Sequence, residues 1–103
     1  MLAIKKLTRE YLPRVKWQTV SDAILGPDYD LSLVFASNEL SQKLNRAHKK
    51  KNQPTNVLSF PLDKNSGEIF LNPSVAKAEA ELLGETFKNR LVYLLIHGLL
   101  HLK

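Results

Sequence analysis

Apolar positions along this chain recur with two periods. Leu2, Ile4 and Leu7 predict a short opening strand. Across residues 13–25, Trp17, Val20 and Ile24 line one face of a helix that starts at Pro13 and stops at Gly26-Pro27. Residues 31–36, Leu-Ser-Leu-Val-Phe-Ala, read as a strand. Leu40, Leu44 and Ala47 then form the buried stripe of a second helix, capped by Ser37 or Asn38. In residues 54–62, Leu58, Phe60 and Leu62 alternate onto one side of a strand. Pro61 has no N–H to donate, so its end of that strand belongs at an edge or a bulge. Residues 64–67 signal a turn, and residues 68–71 form a short strand that can pair back. Asn72-Pro73 opens a helix that runs to Leu83 and ends at Gly84, and Thr86 can cap the last one.

That last helix organises the rest. In residues 91–102 only Gly98, His97 and His101 interrupt the apolar run. A helix apolar on all faces belongs inside a domain, packed on several sides. It is too short for a bilayer span, which needs about 20 apolar residues. The order β-α-β-α-β-β-α-α, without repeats or linkers, predicts an α+β domain over residues 1–103. Its expected form is a small mixed sheet of about four strands packed with helices, the histidine helix central.

His97 and His101 stand at i and i+4, on one helical face a turn apart. Neutral imidazoles so placed can share one metal ion. Burying them among leucines is costly unless they ligate something or are hydrogen-bonded, and each could instead bond a neighbouring polar group. Zinc peptidases place Glu after the first histidine as general base; here that position is Gly98. A mid-helix glycine costs about 1 kcal/mol relative to alanine, so its missing side chain should let another chain or a ligand approach the helix closely. The chain has no cysteine, so any metal must be held by histidine and carboxylate. The net charge of +5 mildly favours an anionic partner such as nucleic acid. The run His48-Lys49-Lys50-Lys51 is either a solvated helix end or a phosphate-contacting patch. The first residues lack an apolar core of signal-peptide length, which makes the cytoplasm the default compartment.

Two segments together, Pro54-Thr-Asn-Val-Leu-Ser-Phe-Pro61 and His97-Gly-Leu-Leu-His-Leu102, resemble the signatures of the YbeY family of single-strand-specific endoribonucleases and ribosomal RNA maturation factors. Gly67-Glu-Ile-Phe-Leu-Asn-Pro73 resembles the family's segment between them. The resemblance implies a Zn2+ ion held by three histidines, of which His97 and His101 match the first two. The third would lie in the family's Gly-Tyr-Asp-His continuation beyond Lys103. His48 could in principle complete the set, but it aligns with a position the family fills with an aromatic residue. The family's arginine ahead of the first signature corresponds to Lys49, which keeps the charge and loses the bidentate fork; Arg46, one turn earlier, could partly substitute.

The expected activity is metal-dependent hydrolysis of single-stranded or ribosomal RNA, with the small ribosomal subunit as partner and no membrane. A divalent ion would activate water, Lys49 and Arg46 would serve the catalytic site, and Lys49, Lys50, Lys51, Asn56 and Ser59 would hold RNA. The alternative is a non-catalytic ribosome- or RNA-binding factor with an incomplete metal site. A metal-dependent hydrolase of small molecules is a third reading.

Overall fold

The apolar run at residues 31–36 lies at the centre of a four-stranded mixed sheet. The computed structural model describes residues 1–103. Its elements are β1 (Leu2–Leu7), α1 (Trp17–Leu25), β2 (Asp30–Ala36), α2 (Asn38–Lys49), β3 (Val57–Asp63), β4 (Ser66–Leu71), α3 (Pro73–Leu83) and α4 (Phe87–Leu102). The strand order is β1-β2-β4-β3. β2 runs parallel to β1 and β4, while β3 is antiparallel to β4, so β1 and β3 are the edges. Pro61 sits on the edge strand, beside an irregularity in its pairing between Pro61 and Asp63.

Alternation sorts the strands' side chains onto two faces. Leu31, Leu33 and Phe35 of β2 share one face with Ile69 and Leu71 of β4. They form the core with Leu91, Leu94, Leu95 and Leu99 of α4 and Ala76 of α3. Trp17 of α1 closes it against Phe35, the ring centroids 5.2 Å apart. The opposite face carries Val34, Leu58, Phe60 and Phe70. There His48 of α2 packs on Phe60 at 4.8 Å between centroids, and Phe60 meets Phe70 edge-on.

Helix ends follow their residues. Ser37, Asn72 and Thr86 cap α2, α3 and α4 by accepting from Leu40, Val75 and Asn89 N–H groups. Gly84 ends α3 at φ +69°. Buried Asn72 also donates through its side-chain amide to Asn38 Oδ1 (2.9 Å) and Ser41 Oγ (2.8 Å), and through its backbone N–H to the Asn56 carbonyl (2.9 Å). One residue thereby ties α2, α3 and the approach to β3 together.

Two expectations are corrected. α1 begins at Trp17, not Pro13. The first intrahelical bond runs from the Val20 N–H to the Lys16 carbonyl, and no side chain caps this end, so nothing extends the helix back to Pro13. α4 packs on α1, α3, β3 and β4, yet it is not enclosed. Its outer face exposes Tyr93, Ile96 and Leu100 together with both histidines, because the helix layer here is one element thick. No helix is long and apolar enough to cross a membrane.

Candidate active site

Gly98 decides how close α4 comes to the edge strand. Val57 and Ser59 of β3 face the helix. A Cβ on Gly98 would lie 3.0 Å from Ser59 Oγ, 3.2 Å from Val57 Cγ2 and 3.3 Å from Ile69 Cδ1. The glycine therefore serves packing: it admits β3, whose Ser59 hydroxyl donates to the Gly98 carbonyl at 3.0 Å. Beside this contact a cleft of about 370 Å³ opens between β3 and α4. Lys49, Asn56, Val57, Leu58, Ser59, Pro61, His97 and His101 line it.

The two imidazoles turn toward each other. Their Nε2 atoms are 3.2 Å apart and their rings 4.7 Å apart between centroids. Two nitrogens on one tetrahedral zinc ion, each at about 2.0–2.1 Å, sit about 3.3 Å apart. The pair thus has the bite of a two-nitrogen chelate, and the same spacing serves a hydrogen bond from an N–H tautomer to a bare nitrogen. Both rings are exposed to solvent, so the desolvation cost expected for buried histidines does not arise. No group of three His, Cys, Asp or Glu side chains converges on a point. His48 packs on Phe60 instead, doing the work of an aromatic ring outside the cleft.

Lys49 reaches the cleft from the last turn of α2. The following Lys50 adopts the left-handed conformation at φ +57°, and its N–H closes the helix on the Asn45 carbonyl. The buried Asn45 amide then donates to the Gln53 carbonyl at 2.9 Å, folding the basic loop back toward β3. Arg46, Lys50 and Lys51 are exposed on this helix end and loop and do not line the cleft. The structure therefore brings together five of the residues singled out from sequence, Lys49, Asn56, Ser59, His97 and His101, and leaves three cations around the rim of α2.

Sequence reasoning missed Glu79 and Arg90. The Asn56 side-chain amide donates to both carboxylate oxygens of Glu79, at 3.0 and 3.3 Å. Arg90 Nε donates to Glu79 Oε1 at 3.0 Å, its second arm lies 3.6 Å from Glu85, and its guanidinium stacks over Tyr93. No local spacing announces such a chain, since its links join the residue just before β3 to α3 and α4. With Glu79 neutralised behind Asn56, no carboxylate lines the cleft, and its charge is set by Lys49.

Beyond the cleft, Tyr29 is packed against Gly67 and Leu102, and its buried hydroxyl has no partner. Burial, and secondarily the Asp63 carboxylate, push its phenol pKa up. Asp63 is held below the usual carboxylate range, first by the Asn65 N–H and then by the Ser66 hydroxyl.

A family model described as Endoribonuclease YbeY matches residues 3–103. The YbeY endoribonuclease of Ehrlichia canis is 48% identical over 77 residues, which cover 70% of this chain and 50% of that protein. That of Sulfurihydrogenibium sp. is 31% identical over 105 residues, covering 95% of this chain and 68% of the relative. The solution structure of a Thermotoga maritima protein superposes with a TM-score of 0.70 at 26% identity, covering 99% of this chain and 71% of that one. The chain spans about half the length of the first of these curated relatives.

Proposed function

The chain belongs to the Endoribonuclease YbeY family, and from that premise we propose that its cleft binds single-stranded RNA for metal-dependent phosphodiester hydrolysis in ribosomal RNA maturation. The observation that carries this reading is the convergence of the His97 and His101 Nε2 atoms, 3.2 Å apart, in a cleft that also holds Lys49.

His97 and His101 would hold a Zn2+ ion, whose bite their spacing fits. Such an ion supplies Lewis acidity, lowering the pKa of water and drawing charge from phosphoryl oxygens. Lys49 offsets the negative charge of the phosphate. Arg46, Lys50 and Lys51 extend the cationic field along α2, which attracts a polyanion without fixing it. Ser59 acts through the helix: its bond to the Gly98 carbonyl keeps the histidine face at a fixed distance from β3. The ribosomal small subunit as partner and the cytoplasm as compartment belong to this same reading.

A specific observation favours a second reading, RNA or ribosome binding without cleavage. No carboxylate lines the cleft to act as a base, while Lys49 supplies it with a phosphate-binding cation. Elemental analysis of bound metal, combined with cleavage of a fluorescent single-stranded RNA, separates the two. Metal binding and cutting that both disappear in His97→Ala support hydrolysis. RNA binding that survives while no strand is cut, with or without added zinc, supports the binding role.

A further inference from the structure

The Asn56 amide has one orientation, and that orientation limits what the cleft can recognise. Its nitrogen faces both oxygens of Glu79. Only an NH2 can do so, because an amide oxygen there would confront a carboxylate. Glu79 cannot turn away to release it, since Arg90 holds it from the other side with a guanidinium that is only 15% exposed. The Asn56 backbone is fixed as well, by the Asn72 N–H on its carbonyl. What remains is Oδ1, which has no hydrogen bond and is not among the buried atoms left without a partner, on a residue that lines the cleft.

Resting on the RNA reading above, we infer that Asn56 Oδ1 is an acceptor that reads the ribose 2′-hydroxyl, with Glu79 as its positioning residue. Oδ1 can only accept. The phosphate, the ring oxygen and the ester oxygens of a nucleic-acid backbone also only accept, and repel it. The 2′-hydroxyl is the one donor that every RNA nucleotide offers whatever its base, and DNA lacks it. Asn56 is thus a selector for sugar, while Lys49 serves phosphate in either nucleic acid.

The test is fluorescence anisotropy of one single-stranded sequence made as RNA, as 2′-fluoro RNA and as DNA, with chelator present so that nothing is cut. The 2′-fluoro sugar removes the donor and keeps the group small. The wild-type protein should bind RNA about two- to tenfold more tightly than either analogue, the factor of one neutral hydrogen bond. Glu79→Gln frees the amide to turn over, and should bring the three affinities together, read as the ratio of RNA to DNA and to 2′-fluoro RNA binding within each variant; Asn56→Ala should do the same. Thermal unfolding checks that each variant is folded, and the wild-type sugar comparison needs no variant at all. Equal wild-type affinity for RNA and its 2′-fluoro analogue overturns the assignment, as does full sugar preference in Glu79→Gln. Failure of the wild type to bind any of the strands is a different result, which overturns the RNA reading itself.

Discussion

Replacing Gly98 by alanine sets two opposed effects against each other at one atom. In an open helix the change should stabilise by about 1 kcal/mol, the propensity difference between the two residues. Here the new methyl meets Ser59 Oγ at 3.0 Å, Val57 Cγ2 at 3.2 Å and Ile69 Cδ1 at 3.3 Å. These contacts are several tenths of an ångström too short, and they come from both β3 and β4. No single side chain can relieve them, and Ile69 is fully buried. Overpacking of this kind costs about 1–3 kcal/mol. Moving β3 away also weakens the Ser59–Gly98 hydrogen bond, worth about 1 kcal/mol. The sum favours destabilisation by about 1–3 kcal/mol, a fall in Tm of roughly 5–15 °C for a chain of this size.

Urea and thermal unfolding followed by circular dichroism give the measurement. Adding Ser59→Ala removes the nearest of the three contacts, so it should cost less in the alanine background than in the wild type. A Gly98→Ala variant that gains about 1 kcal/mol would refute the close-packing argument and leave the glycine without a structural reason.

Three further outcomes are expected. Lys50→Gly should stabilise by about 1 kcal/mol, because the C-cap of α2 holds a non-glycine residue at φ +57°; an unchanged urea midpoint would count against strain there. Tyr29→Phe removes a buried hydroxyl without a partner and should be neutral or stabilising by about 1 kcal/mol. It should also soften Gly67→Ala, whose methyl would lie 2.5 Å from that oxygen; a double-mutant cycle with zero coupling would contradict the contact. Asp63 has a depressed folded-state pKa, so its contribution to stability is present above about pH 4 and is lost as pH falls through the lower folded value. Asp63→Ala should flatten that acid limb of a pH–stability curve, and an unaltered limb would show that the β3–β4 turn does not contribute to it.

The parts of this fold that were legible in the sequence are those where neighbours in the chain act on one another. Ser37, Asn72 and Thr86 cap the helices that follow them, and Gly84 closes the one before it. The apolar run of β2 and Pro61 at a sheet edge are likewise local consequences of residue type and a missing N–H. The spacing of His97 and His101 read correctly as two rings on one face. Which face was not legible. An apolar helix reads as buried all round, whereas Leu91, Leu94, Leu95 and Leu99 are buried, Phe87 and Leu102 pack partly against them, and Tyr93, Ile96 and Leu100 stay outside. Nor could the sequence say which of four neighbouring cations enters the cleft. The Lys50 turn and the Asn45–Gln53 bond settle that in favour of Lys49, and both depend on the loop's path.

The cleft itself is a product of tertiary geometry, and its chemistry depends on distances that no motif encodes. His97 and His101 belong to α4, Asn56 and Ser59 to β3 and the residue just before it, and Lys49 to α2 on the other face of the sheet. Three contacts hold these parts in register: Ser59 on Gly98, Asn72 on Asn56, and Glu79 between Asn56 and Arg90. Each joins the edge strand or its approach to a different part of the helix layer. The edge strand is free on its other side, so these contacts, with the β4 ladder, are what fix its position relative to the histidines. A change at Gly98, Asn72 or Glu79 therefore alters the cleft without touching a ligand, and loss of binding in such a variant measures the scaffold rather than the chemistry. Sugar selectivity separates the two, because a displaced strand weakens all nucleic acids alike while a turned amide affects only those with a 2′-hydroxyl.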